Sequence, residues 1–287
     1  NGMHFDIAIF TNLTRDHLDY HGTMENYGAA KAKLFKFPEL HYAVVNIDDE
    51  FGRQLLLNSQ NPSTQFYAYS ALGRLLEKEV PLVRAHQVNL NMQGLTASVY
   101  TPWGDGVLHS KLLGRFNLSN LLAVLTTLCV MEIPLESALN YLAQLQGVAG
   151  RMEMLGGGEK PLVVIDYAHT PDALQQLLTT LREFCQGELW CVFGCGGNRD
   201  KGKRPQMGMI AENFADYVVV TDDNPRDENP ATIVSEILRG MQRPETAVVE
   251  HDRHRAIAHA IDCAHPGDIV LIAGKGHENY QQIGAEK

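Results

Sequence analysis

The sequence is poor in several things at once. Cysteine is scarce and odd in number, five in 287 residues. No disulfide framework is expected in a chain long enough to bury a core without one, and a reducing compartment, the cytoplasm, is the expected location. Long apolar runs are missing. The longest, around Leu121–Met131, falls well short of the roughly 20 residues that span a bilayer, so no membrane partner is expected. Positive charge is in deficit: 24 Lys and Arg stand against 34 Asp and Glu, a formal −10. A net anion is ill suited to coat nucleic acid, whose phosphates favour basic surfaces. Residues 1–9 hold no basic stretch followed by an apolar run, so no signal peptide is read there. The first residue is Asn1 and the last four are Gly284-Ala285-Glu286-Lys287; both ends read as cut from something longer.

What is present is ordinary in composition and regular in pattern. Apolar residues make up 45% and charged residues 20%, the balance of a soluble globular protein. At roughly 150 residues per domain the length argues for two domains. The first half is mixed. Strands are expected at Phe5–Phe10, Ala43–Asn46, Gln65–Tyr69, Leu82–Leu90, Leu95–Tyr100 and Gly106–His109, with helices at Met24–Phe35, Phe51–Asn58, Asn117–Met131 and Pro134–Leu145. Thr11–Gly22 reads as a polar loop, and Gln146–Gly150 as a hinge. The second half alternates short β-branched runs, Leu162–Ile165, Leu189–Phe193, Tyr217–Thr221, Ala247–Glu250 and Ile269–Ala273, with helical patterns at Pro171–Phe184, Pro205–Asn213, Pro230–Gly240 and Arg253–Cys263. That alternation predicts an α/β fold with a parallel sheet of βαβ units. The expected domains are 1–148 and 149–287.

In an open parallel sheet, ligands bind outside the carboxyl ends of the strands. The segments leaving those ends are Asp166–Pro171, Gly194–Arg204, Asp222–Glu228 and Gly274–Glu278, the most polar and Gly-rich stretches of the second half. Their convergence predicts a site. Gly194-Cys195-Gly196-Gly197-Asn198-Arg199 follows a strand but places Arg199 where a dinucleotide fingerprint needs Gly. Gly197–Arg204 approaches a P-loop but ends in Arg204, where Ser or Thr would hold Mg²⁺; no other stretch supplies that loop. Its cations would meet substrate carboxylates or phosphates, with a solvated basic loop as the competing reading. Asp222-Asp223-Asn224-Pro225-Arg226 reads as a Pro-fixed turn presenting a guanidinium fork. Arg15-Asp16-His17-Leu18-Asp19-Tyr20-His21 could contribute a metal ligand, although a lone His is more often structural. Cys191 and Cys195 do not predict zinc, because the remaining cysteines are scattered.

With those residues in view, the chain resembles the Mur ligase family. Within it the resemblance is to members that add meso-diaminopimelate to UDP-N-acetylmuramoyl-L-alanyl-D-glutamate. It is carried by Thr11–Gly22, Gly114-Arg115-Phe116-Asn117-Leu118-Ser119-Asn120, Gly150-Arg151-Met152-Glu153, Asp166–Pro171, Gly194–Arg204, Asp223–Arg226 and Gly274–Glu278. The resemblance implies the later part of a central ATPase domain followed by a Rossmann-like C-terminal domain, with the family's P-loop and uridine-nucleotide domain upstream of Asn1. The implied reaction transfers the ATP γ-phosphoryl to the D-glutamyl carboxylate, and the amine of diaminopimelate displaces phosphate from the acyl phosphate. It serves peptidoglycan precursor synthesis.

The resemblance also implies roles. His17 matches a metal ligand and Lys31 a carbamylated lysine, both serving Mg²⁺ and catalysis. Asn117, Asn120, Arg151 and Asp166 match nucleotide-site positions: Asn120 at adenine, Asp166 at ribose, Arg151 at the phosphates, and Asn117 supporting its turn. Arg199, Asp223, Asn224, Arg226, Gly274 and Glu278 match the diaminopimelate pocket. In it the arginines take carboxylate, and Glu278 with the Gly274 carbonyl takes the distal ammonium. Partners are the small molecules ATP, the UDP-linked dipeptide and diaminopimelate, acting on a monomer. A chain lacking the P-loop is expected to be inactive alone. A lysine-adding or folylpolyglutamate-type ligase, or a non-catalytic binding fragment, is the alternative.

Overall fold

The computed structural model describes residues 4–58, 61–77 and 79–286. In chain order the elements begin with β1 (Ile7–Phe10), α1 (Leu18–His21), α2 (Met24–Ala32), β2 (Tyr42–Asn46), α3 (Glu50–Asn58) and β3 (Gln65–Ser70). There follow β4 (Leu82–Asn91), β5 (Gly94–Thr101), β6 (Gly104–Ser110), α4 (Arg115–Val130), α5 (Leu135–Ala143), β7 (Glu153–Gly156) and β8 (Leu162–Asp166). The last elements are α6 (Pro171–Arg182), β9 (Leu189–Phe193), α7 (Lys203–Phe214), β10 (Tyr217–Val220), α8 (Pro230–Leu238), β11 (Val248–Val249), α9 (Arg253–Cys263) and β12 (Ile269–Ala273). Two compact units result: residues 1–14 with 21–146, and residues 15–20 with 147–287.

The first unit is built on a sheet in the order β1-β2-β3-β4-β5-β6. β1 to β4 run parallel, and β4, β5 and β6 form an antiparallel meander. Its apolar residues make two buried clusters. One joins the strands to α4 and α5 through Leu118, Leu121, Leu122, Leu125, Ala138 and Leu142. The other packs Phe10, Ala43 and Val45 against Phe35, Leu40 and Leu56. The helix expected over Met24–Phe35 is α-helical only to Ala32 and tightens into a 3₁₀ turn over Lys33–Lys36, which lets Phe35 into the core at 4% exposure. The loop Thr11–Gly22 contains the short α1.

The second unit has a sheet in the order β11-β10-β9-β12-β8-β7. All neighbours are parallel except β7 against β8. β9 and β12 are buried along their whole length, as continuous apolar runs in a parallel sheet should be. The parallel arrangement places the carboxyl ends of β8, β9, β10 and β12 on one edge. Helices start where capping chemistry allows: Thr170 and Pro171 open α6, Asn229 and Pro230 open α8, and Asp252 opens α9. α7 begins at Lys203, two residues before the expected Pro205, because the first helical turn needs no N–H from that proline.

Candidate active site

Four loops leave the carboxyl edge of the second unit's sheet, and their side chains interlock. β8 ends on Asp166, which is 8% exposed. Its two oxygens accept the backbone N–H groups of Met152 (2.9 Å) and Ala168 (2.8 Å). Burial pushes its pKa up, opposed by those bonds. The Arg151 guanidinium lies 4.6 Å over the Tyr167 ring, a cation–π contact. His169 turns back through Nδ1 to the Tyr167 carbonyl at 2.8 Å.

The loop after β12 brings Glu278 to the same edge. Its Oε1 accepts from the Tyr167 hydroxyl at 3.3 Å, and its Oε2 accepts from Asn224 Nδ2 at 3.2 Å and Lys275 Nζ at 3.3 Å. Burial alone would raise its pKa, but the donors from Asn224 and Lys275 outweigh it and hold the carboxyl below its ordinary range. Glu278 is therefore ionised at neutral pH. Asn224 is fixed at its other end as well: its Oδ1 accepts from Lys275 Nζ at 3.0 Å and from the Gln282 backbone at 2.8 Å. Lys275, only 8% exposed, thus pins both members of the pair. Sequence reasoning passed over it; its one signal was a lysine between two glycines directly after a wholly apolar strand.

The remaining residues predicted for this edge sit on the loops after β9, β10 and β12. Asp223 Oδ1 accepts from the Asn224 backbone at 2.8 Å, and a Cβ on Gly274 would meet Asp223 Oδ2 at 2.8 Å. Arg226 has a φ of 52°, and its Nη1 donates to the Gly197 carbonyl at 2.7 Å. Arg199 faces Asp19, with Nη1 3.5 Å from Oδ2. A Cβ built on Gly196 would lie 2.9 Å from Arg226 Nη1 and 3.8 Å from Arg199 Cγ, so the two arginines flank one glycine. All six residues predicted for this pocket are brought to one edge.

Residues 15–20 belong to this unit through ion pairs. Arg15 forks Asp200, with Nε 2.7 Å from Oδ2 and Nη2 3.0 Å from Oδ1. Asp16 lies 3.6 Å from His169 Nε2 and 3.4 Å from His17 Nε2. Partial burial opposes ionisation of Asp16, yet the bonds from His169 and the His17 backbone bring its pKa down to about 2. His17 has a φ of 55°. Cys191 and Cys195 are buried, their thiols pushed up to about 12 by desolvation, which makes them inert core groups.

In the first unit Lys31 closes α2. Its Nζ donates to the Asn12 carbonyl at 3.0 Å and lies 4.9 Å from the Tyr27 ring centre. Asn117 Nδ2 donates to the Leu113 carbonyl at 2.8 Å, bracing the turn that opens α4, and Asn120 Nδ2 reaches Asn117 Oδ1 at 3.5 Å. Among the described residues, no group of three His, Cys, Asp or Glu side chains could hold a metal ion. No helix among them is long and apolar enough to cross a membrane.

The chain matches known families over most of its length. Residues 1–128 match the family described as Mur ligase middle domain, and residues 150–276 match Mur ligase, glutamate ligase domain. A Coxiella burnetii protein named UDP-N-acetylmuramoyl-L-alanyl-D-glutamate–2,6-diaminopimelate ligase is 51% identical over 282 residues, covering 98% of this chain and 57% of its own length. A protein of the same name from Ectopseudomonas mendocina is 53% identical over 281 residues, with 98% and 56% covered. A solved structure titled with that activity is 40% identical, with a TM-score of 0.61 over 99% of this chain and 58% of that one. The chain thus spans a little over half the length of these relatives.

Proposed function

This chain belongs to the Mur ligase family, and from that premise we propose that its parent protein is an ATP-dependent ligase. It adds meso-diaminopimelate to UDP-N-acetylmuramoyl-L-alanyl-D-glutamate in the cytoplasm, as a monomer, for peptidoglycan synthesis. The observation that carries the reading is the pairing on one sheet edge of an ionised Glu278 with two arginines flanking Gly196. Diaminopimelate offers an ammonium and a carboxylate at its far end. An anionic oxygen set and a guanidinium fork are the complementary groups. Lysine lacks that carboxylate and would leave a guanidinium unpaired.

The chain's residues divide the work. Glu278 and the Gly274 carbonyl receive the distal ammonium, and Asn224, locked by Lys275, sets the angle of Glu278. Arg226 and Arg199 take carboxylate, Arg199 exchanging Asp19 for substrate, and Asp223 completes the pocket. Asp166 keeps free lone pairs for a ribose hydroxyl, Arg151 serves the phosphates, and Asn120, steadied by Asn117, faces adenine. Mg²⁺ takes most of its ligands from phosphate oxygens and water and needs only one or two from protein. His17 and a carbamate on Lys31 would hold it, and when bound it offsets the charge gathered at the transferring phosphoryl group. The Lys31 amine, at the end of its helix beside a backbone carbonyl, is the group that would carry the carbamate.

Phosphate release by the full-length enzyme, given the UDP-linked dipeptide and ATP, tests the reading. Diaminopimelate should support turnover far better than lysine or glutamate. Preference for lysine or for glutamate would replace the proposal with a lysine-adding or folylpolyglutamate-type ligase.

A further inference from the structure

Arg204 was conspicuous in the sequence for spoiling a nucleotide-binding loop, and it is the largest fully buried side chain among the described residues, with no exposed surface. Its guanidinium forks Glu228, with Nη1 to Oε2 and Nη2 to Oε1 both at 2.9 Å. Nη1 also meets Glu236 Oε2 at 2.6 Å, and Nη2 donates to the Gly196 carbonyl at 3.2 Å. A buried cation with two carboxylates is an expensive arrangement that hydrophobic packing often betters, so it needs a reason other than stability.

Glu228 supplies one. Besides the Arg204 fork, its Oε1 accepts the backbone N–H of Asn198 at 2.5 Å, the residue directly before Arg199. Its own N–H donates to the Pro225 carbonyl at 3.1 Å, closing the turn that carries Arg226. The two loops are zipped further. Gly197 donates to the Asn224 carbonyl at 2.9 Å, and the Asn198 side chain bonds Asp227 at both its amide nitrogen and its oxygen. Gly197 packs so closely on the turn that a Cβ there would stand 1.9 Å from the Pro225 oxygen.

We propose that Glu228, clamped by Arg204, is a positioning residue for amino-acid recognition, tying the loop of Arg199 to the turn of Arg226 so that both guanidinium groups hold a set spacing. The inference rests on the proposed diaminopimelate pocket. Glu228 touches no substrate; it acts through the two arginines. Glu236 shares Arg204 without reaching either loop and is therefore the control: its loss removes an ion pair of the same buried cation and leaves the zipper intact.

Steady-state kinetics of the full-length enzyme test this. Glu228→Gln keeps the shape but cannot accept with both oxygens, and the Michaelis constant for diaminopimelate should rise on the order of tenfold, with that for ATP unchanged. Glu236→Gln should leave both constants near wild type. In an Arg199→Ala background, Glu228→Gln should add less than about threefold, because the spacing it holds no longer has a second guanidinium. Should Glu228→Gln fail to fold, Asn198→Gly tolerates the left-handed backbone at that position, φ 54°, and cuts the Asp227 strap; it should raise the same constant. An equal rise in Glu236→Gln, full additivity with Arg199→Ala, or an unmoved constant in both Glu228→Gln and Asn198→Gly overturns the proposal. If Arg199→Ala and Arg226→Ala themselves leave the diaminopimelate constant unmoved, the pocket is wrong and the proposal falls with it.

Discussion

Arg226 holds a left-handed backbone, fixed by its own N–H on the Gln282 carbonyl at 3.0 Å and by Gly284 on its carbonyl at 2.8 Å. Truncating a partner of a hydrogen-bonded charge pair costs about 2–5 kcal/mol. Arg226→Ala in the full-length enzyme should therefore weaken diaminopimelate by on the order of 30-fold or more, with ATP little changed. Arg226→Lys should also be poor, for want of a fork. A diaminopimelate constant within twofold of wild type, alongside a raised ATP constant, would misplace the residue. Lys31→Ala should lose most activity if the amine carries a carbamate, and a short carboxylate in the buffer should restore part of it; wild-type turnover in that variant returns Lys31 to a structural role. Asp16 gives a pH signature. Its folded pKa of about 2 lies below the ordinary 3.8, so its contribution is complete above pH 3.8 and is lost as pH falls toward 2. For a half-exposed pair, Asp16→Asn should cost about 0.5–1 kcal/mol at pH 7. Urea unfolding should show that difference shrinking below pH 4, and a constant difference down to pH 3 would separate Asp16 from its histidines.

The elements were legible where pattern and punctuation agreed. Leu189–Phe193, Arg253–Cys263 and Ile269–Ala273 have the expected bounds, since each is an apolar run or a capped amphipathic stretch between Gly, Pro or Asp. β7 was not foreseen. It is exposed throughout and pairs antiparallel with β8, a contact made by backbone and therefore silent in side-chain periodicity. β11 shrinks to two residues on the opposite edge for the same reason. α4 packs into the core of the first unit, with Leu118, Leu122 and Leu125 wholly buried. Leu122→Ala should destabilise by about 2–5 kcal/mol through a cavity that rigid neighbours cannot close. Tyr141→Ala on α5, a position 54% exposed, should stay within about 0.5 kcal/mol. Urea midpoints of the two variants compare them directly, and equal shifts would mean that α4 is not packed as described.

Residues 1–287 contain no complete Gly-rich loop ending in Gly-Lys-Ser or Gly-Lys-Thr, and phosphoryl transfer in such enzymes depends on that loop's backbone and lysine. The chain by itself should therefore release no phosphate in a diaminopimelate-dependent manner; detectable turnover by the purified chain would show that the γ-phosphoryl group is held in some other way. The local order of the chain decided much of this protein without help. Alternating β-branched and amphipathic stretches dictate a parallel sheet, a parallel sheet dictates a loaded carboxyl edge, and the residues on that edge are readable as cations, carboxylates and glycines before any fold is seen. What each residue does to another was decided only in three dimensions. Arg15 finds Asp200 across 185 positions and Asn224 finds Glu278 across 54. Arg204, a misfit in a linear motif, becomes the buried clamp on Glu228, and Lys275 becomes the pin of Asn224. Side-chain periodicity records which face is buried, because burial repeats with the backbone. A hydrogen bond between loops has no period, so it exists only once the strands have set the loops side by side.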